Sequence, residues 1–172
     1  GLSKLGLGYE DIKQEFPTLV YCSVTGFGQT GPYASRAGYD FLAQGLGGIM
    51  SITGDPDGEP MKVGVGIADV MTGMYAATAI LAALRHKDAT GEGQHIDTCL
   101  LDTQVSWLIN EGTNYLVSGK IPKKLGNEHP NIVPYKVFAT SDGHVILAVG
   151  NDRQFQDWCT AAGAHDLKNN PL

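Results

Sequence analysis

The chain has 172 residues, 42% hydrophobic and 17% charged, with a formal net charge of -6. That balance suits a folded globular chain and excludes a disordered tail. The acidic charge and the lack of a basic block argue against nucleic-acid binding, which draws on Lys and Arg to neutralise phosphates; an anionic substrate would need local positive groups, because the global field does not attract it.

Tyr9 to Phe16 reads as a short helix ended by Pro17. Leu19 to Val24 is an apolar run of strand length. It leads into Gly26-Phe27-Gly28-Gln29-Thr30-Gly31, the glycine spacing of dinucleotide-binding folds. That fingerprint needs a helix opening at the glycines, so that its amides meet a pyrophosphate. Here Pro32 follows at once, and Ala34 to Gly38 carries no apolar period. The glycines are therefore read as turn formers or as an active-site loop, in which a main chain without side chains passes close to a ligand.

Tyr39 to Ile52 is expected to be helical, with Gly45, Gly47 and Gly48 marking close packing. Residues 54–60 form a turn-rich loop. The strongest helical pattern runs from Asp69 to His86, and its small residues predict burial on more than one face. His95 to Leu100 reads as a strand and Asp102 to Leu116 as a second long helix. Gly119 to Gly126 is polar and basic, like a linker. Tyr135 to Ala139 and His144 to Val149, around Ser141-Asp142-Gly143, predict a hairpin. Asp152 to Ala162 closes the pattern as an amphipathic helix.

No apolar run approaches ~20 residues, so no membrane span is expected. Cys22, Cys99 and Cys159 are odd in number and widely spaced. They make neither a disulfide framework nor a zinc site, and Cys22 and Cys99 read as buried thiols in a reducing, cytoplasmic setting. With Gly1 at one end and Asn-Asn-Pro-Leu at the other, the chain is expected to be a fragment of a longer one.

Asp69 opens the long helix, and Asp is a preferred N-cap, which accounts for it structurally. The functional alternative is a carboxylate at a helix start, with Gly64, Gly66 and Gly73 leaving room for a substrate. A helix dipole contributes only about 0.3–1 kcal/mol. It need not do more, since carboxylates are ionised at neutral pH without help.

Taken together, several stretches resemble the class III coenzyme A transferases, the CaiB–BaiF family. They are "GLSKLGLGYEDI…PTLVYCSVTGFGQTGPY", Tyr39-Asp40-Phe41 within "AGYDFLAQGLGGIMSITG", Asp69 in "IADVMTG", and "ALRHKDATGEGQHIDTCLLD". The resemblance covers nearly the whole chain. It implies an α/β fold: residues 1–118 as part of a Rossmann-like large domain, 119–126 as linker, and 127–172 as the start of a small α+β domain. It also implies an interlocked homodimer in the intact protein, acyl-CoA and a carboxylic acid as substrates, no metal and no permanently bound cofactor.

By the same resemblance Asp69 is the nucleophile, passing through an aspartyl anhydride and an aspartyl-CoA thioester. Gly26, Gly28 and Gly31 then shape a loop near the CoA thioester, where one backbone oxyanion donor is worth roughly 2.7–4 kcal/mol. The related α-methylacyl-CoA racemases carry His where Tyr39 stands. A phenol titrating near ~10 is ill suited to proton exchange at neutral pH, but it can orient an acyl group. Tyr39 therefore favours transfer, with racemase-type proton transfer and an inactive or protein-binding fragment as the alternatives. Arg36 has the charge to pair with a CoA phosphate or a carboxylate, or is a plain surface Arg. His129, in "GNEHPNIVPY", stands where the family's lid lies, and is either a substrate contact or a surface histidine. That stretch lacks the glycine run of some formyl-CoA transferases and looks more like transferases of dicarboxylates such as succinate or glutarate. The adenine and phosphate contacts are expected in a missing N-terminal part.

Overall fold

Two short runs rich in β-formers, Tyr21–Thr25 (β1) and His95–Cys99 (β2), lie side by side as a parallel pair, with Tyr21 opposite His95 and Thr25 opposite Cys99. Parallel strands cannot be joined by a tight turn, so a long helical crossover must connect them. The computed structural model, which describes residues 1–168 and 170, supplies it as three helices: α2 (Asp40–Leu46), α3 (Ile49–Ile52) and α4 (Ile67–Thr90). A single turn, α1 (Tyr9–Ile12), precedes β1. The helices α5 (Leu100–Ser106) and α6 (Ile109–Ser118) follow β2.

Two expected long helices are each broken in two. Between α2 and α3, Gly48 takes a left-handed φ of 90°, a conformation open to glycine at little cost. Gly47 lies so close to Gln104 that an added Cβ would stand 2.5 Å from its Cγ. Between α5 and α6 the break falls at Trp107 and Leu108, with no Gly or Pro to announce it.

Helix α4 packs on α2, α5, β1 and β2. Its buried residues are Ala68, Thr72, Ala76 and Ala83. The first three recur every fourth position, a single stripe. Small side chains there let the neighbouring helices approach closely, and Ala43, Ala68 and Leu100 form the core where α2, α4 and α5 meet. Burial on more than one face is not what this chain has: Val70 and Met74 are 55% and 59% exposed. The expectation of no span-length apolar segment is corrected as well. By length and composition alone, Ile67–Thr90 is long and apolar enough to cross a membrane. Interspersed Gly, Ala and Thr hide this in the sequence, although Asp69 is the sole charge from 67 to 84. A core helix of a globular protein has the same composition.

The chain divides into two units, Gly1–Thr53 with Glu59–Pro122, and Gly54–Gly58 with Lys123–Leu172. In the second, the Gly126 amide donates to the Gly54 carbonyl at 3.1 Å, and the Lys124 ammonium donates to the Gly58 carbonyl. Its sheet is the antiparallel hairpin β3 (Tyr135–Ala139) and β4 (His144–Ala148), with Ala139 opposite His144. Helix α7 (Asp152–Ala161) follows, capped by the Asn151 side chain on the Gln154 amide.

Candidate active site

Helix α4 begins at Ile67, with Gly66 as N-cap and no capping side chain of its own. A helix start leaves amides without intrahelical acceptors, and these must be satisfied from outside. The Ile67 amide donates to the Val65 carbonyl at 2.8 Å. The Ala68 amide donates to Asp40 Oδ1 at 2.7 Å, and the Asp69 amide reaches the same oxygen at 3.3 Å. Val70 then donates to Gly66 at 3.1 Å, the first bond of the helix proper. Asp69 is therefore not the N-cap that its residue type suggests. It is the third helical residue, and a carboxylate 29 positions earlier performs the capping.

This arrangement leaves the Asp69 side chain exposed and unoccupied by the helix it sits on. Among the described residues, no hydrogen bond or ion pair reaches its carboxylate. Gly66 lies beside it: a Cβ there would come 3.8 Å from Asp69 Oδ2 and 3.7 Å from Asp40 Oδ1. The Lys62 ammonium is engaged on the carbonyls of Val63 and Gly64 at 3.2 and 3.1 Å. The arrangement presents a carboxylate with free lone pairs on a rigid helix start, beside a stretch without side chains. That is the requirement for a carboxylate nucleophile approaching a flat acyl carbon.

Tyr39 is the N-cap residue of α2 and is 73% exposed. It directly precedes Asp40, so the backbone that places the phenol also places the cap of α4. The glycine loop joins the same frame. Gly26 packs on Gly38, where an added Cβ would stand 2.4 Å from the Gly38 Cα, and its carbonyl accepts the Leu101 amide at 3.2 Å. Gly28 and Gly31 both take φ of +87°. No helix opens at them, the next beginning only at Asp40, which removes the dinucleotide reading. Two loop amides are already engaged: Gly28 donates to Thr25 Oγ1 at 2.8 Å and Gln29 to Asp97 Oδ2 at 2.9 Å.

Arg36 stacks its guanidinium over the Tyr33 ring, 4.2 Å from the centroid. His129 belongs to the second unit, where its Nδ1 accepts the Asn131 amide at 3.0 Å and its ring lies 5.1 Å from that of Tyr135. The structure thus ties Tyr39, Asp40, Asp69 and the Gly26 end of the loop into one frame within the first unit. Burial raises the thiols of Cys22 and Cys99 above their ordinary value, with the Asp97 charge adding to the effect on Cys22. Such thiols are poor nucleophiles. No His, Cys, Asp and Glu cluster suited to a metal ion occurs among the described residues.

A sequence profile described as CoA-transferase family III matches residues 1–172. The chain belongs to this family. A succinate–glutarate CoA-transferase of Agrobacterium fabrum is 59% identical over 163 residues, covering 95% of this chain and 41% of that protein. The human succinyl-CoA:glutarate CoA-transferase is 46% identical over 169 residues, covering 98% of this chain and 39% of its own length. The crystal structure of a CaiB/BaiF family protein from Brucella suis superposes with a TM-score of 0.80 at 54% identity, over 99% of this chain and 45% of that one. The α/β fold is that of the family. The chain spans about 40% of the length of these curated relatives.

Sequence reasoning misses what the Asp40 and Gln44 side chains hold together. Asp40 stands inside a family-like motif, but the amides it caps lie 28 and 29 positions away. Gln44, in the apolar part of α2, gives no sequence signal for its burial.

Proposed function

We propose that the full-length protein transfers coenzyme A from an acyl-CoA to a carboxylic acid, with Asp69 as nucleophile. The single observation that supports it most is the exposed, unpartnered carboxylate at the third position of α4, whose own helix amides are capped by another residue.

In this mechanism an Asp69 oxygen attacks the thioester carbonyl. The carbon–sulfur bond breaks, leaving a mixed anhydride and CoA thiolate. The thiolate attacks the aspartyl carbonyl and expels the donor acid, forming an aspartyl-CoA thioester. The acceptor carboxylate attacks that thioester and expels the thiolate again. The thiolate then attacks the acceptor acyl carbon, giving the new acyl-CoA and restoring Asp69. Each step passes the acyl group from one activated linkage to another, the anhydrides being the higher-energy ones, and the thioester energy is not lost to water.

The names of the relatives favour short dicarboxylates as substrates, with succinyl-CoA as donor and glutarate as acceptor. The Tyr at position 39, rather than a His, favours transfer over proton exchange at Cα. The further elements of the proposal are a homodimer of the full-length protein in a reducing, cytoplasmic compartment, with CoA as substrate and no permanently bound cofactor. The test is to incubate full-length protein with succinyl-CoA and glutarate in deuterated water. Glutaryl-CoA formation without deuterium at the α-carbon of the acyl group is expected. Deuterium uptake in the absence of any acceptor acid would contradict transfer and favour the racemase-type reaction.

A further inference from the structure

Asp40 does more than end an unsatisfied helix. Its Oδ1 holds the amides of Ala68 and Asp69, while its Oδ2 accepts from Gln44 Nε2 at 2.7 Å. Gln44 has no exposed surface. Its Oε1 accepts the Val63 amide at 2.8 Å, and its Nε2 also reaches the Val65 carbonyl at 3.5 Å. One carboxylate and one buried amide thereby fix both the glycine-rich approach to α4 and the first turn of α4. They fix it, moreover, relative to α2, the helix that Tyr39 opens.

The donor and acceptor order of this relay is fully specified. The Val63 amide is a fixed donor, so Gln44 must turn its oxygen to it and its NH2 towards Asp40. The amides of Ala68 and Asp69 are fixed donors, so residue 40 must turn an acceptor to them. Only a group with acceptors on both sides serves at position 40 while Gln stands at 44. Inside a protein a wrongly ordered relay of this kind leaves buried donors facing each other, which is costly.

We propose that Asp40 is a positioning residue for the transfer reaction. Acting through the Gln44 relay, it sets the backbone of Asp69 and the adjoining 62–66 loop in the geometry from which the Asp69 carboxylate attacks. It also takes up the helix-start amides that the Asp69 carboxylate would otherwise be drawn back to cap. The inference rests on Asp69 being the nucleophile. Both Asp40 carboxylate oxygens are taken up by Gln44 and by the amides of Ala68 and Asp69, so its action is on the approach geometry, where a displacement of about 1 Å costs on the order of 10²-fold in rate.

The test uses the full-length protein with succinyl-CoA and glutarate, and five forms: native, Asp69→Asn, Asp40→Ala, Asp40→Asn, and Asp40→Asn combined with Gln44→Glu. In the combined variant the carboxylate introduced at position 44 accepts from the Val63 amide and from the side-chain NH2 introduced at position 40. The side-chain oxygen at position 40 still faces the amides of Ala68 and Asp69, so these bonds are restored with the charge moved, and only the 3.5 Å contact to the Val65 carbonyl is given up. Each form is checked for folding by near-UV circular dichroism, and kcat is referred to the folded fraction. The expected result is a kcat lowered on the order of 10²-fold in Asp40→Ala, a clear loss in Asp40→Asn, and KM for succinyl-CoA held within about threefold. The double variant should recover most of the loss in Asp40→Asn. If Asp69→Asn is inactive but Asp40→Ala and Asp40→Asn keep native kcat, the inference is overturned and the nucleophile reading stands. A double variant no better than Asp40→Asn, or a loss confined to melting temperature, also overturns it. If Asp69→Asn is fully active, the nucleophile reading itself fails.

Discussion

Asp40 Oδ1 lies 2.7 Å from the Ala68 amide, so the acid that caps the long helix comes from a different helix. Caps within a helix stabilise that helix alone. This one also joins α2 to α4 above the core of Ala43, Ala68 and Leu100. Asp40→Ala is expected to destabilise this chain by about 0.5–2 kcal/mol, the usual cost of losing an N-cap side chain. Urea unfolding followed by circular dichroism measures it, and an unchanged midpoint would show that water replaces the cap without loss.

The loop glycines differ in what each requires, and substitution separates them. Gly26→Ala places a Cβ 2.4 Å from the Gly38 Cα, a backbone atom that has no rotamer to escape into. Gly31→Ala meets nothing within 4 Å, and its strain comes only from φ of +87°. Gly31→Ala should cost about 1–2 kcal/mol, and Gly26→Ala about 1–3 kcal/mol with displacement of the strand–loop junction. Denaturant midpoints of the two variants give the order, and amide hydrogen exchange at Leu101, whose N–H donates to Gly26, reports the displacement.

The half-buried Cys22 and the buried Cys99 give a pH dependence of definite sign. Burial moves the ionisation of Cys22 and Cys99 in the folded chain to higher pH. Above the ordinary thiol value the unfolded chain has lost protons that the folded chain still holds. Stability is therefore fully present below about pH 8.5 and is lost as pH rises through the folded values. The urea midpoint should fall from about pH 8.5 upward. Cys99, 2% exposed and accepting the Asp102 amide at 3.4 Å, should also resist iodoacetamide until the chain unfolds. Rapid alkylation of Cys99 in the native chain would contradict both expectations.

Much of this architecture is legible in residue patterns. The first two strands, the hairpin and the long helix each follow from a local period or turn signal, and Asp69 stands out by its place at a helix start among glycines. What stays hidden depends on distant pairings. Asp69 reads as a cap because its type and place fit one, but the cap is supplied from Asp40 across the helix interface. The break at Trp107 and Leu108 carries no Gly or Pro, so nothing local marks it. The span-like length of α4 is masked by its small residues, the same ones that let it pack closely on α2 and α5. Burial of Gln44 does not follow from α2 alone, because its Val63 partner lies 19 positions onward in an irregular segment.

The central claim is a covalent bond to Asp69, and the most direct measurement looks for that bond. Full-length protein is mixed with succinyl-CoA without acceptor acid, quenched with hydroxylamine, digested, and the peptide containing Asp69 is read by mass spectrometry. A hydroxamate at Asp69 that depends on acyl-CoA is expected, and its absence, together with loss of CoA transfer, in Asp69→Asn. An unmodified Asp69 in protein that still catalyses transfer, or native activity in Asp69→Asn, would contradict it.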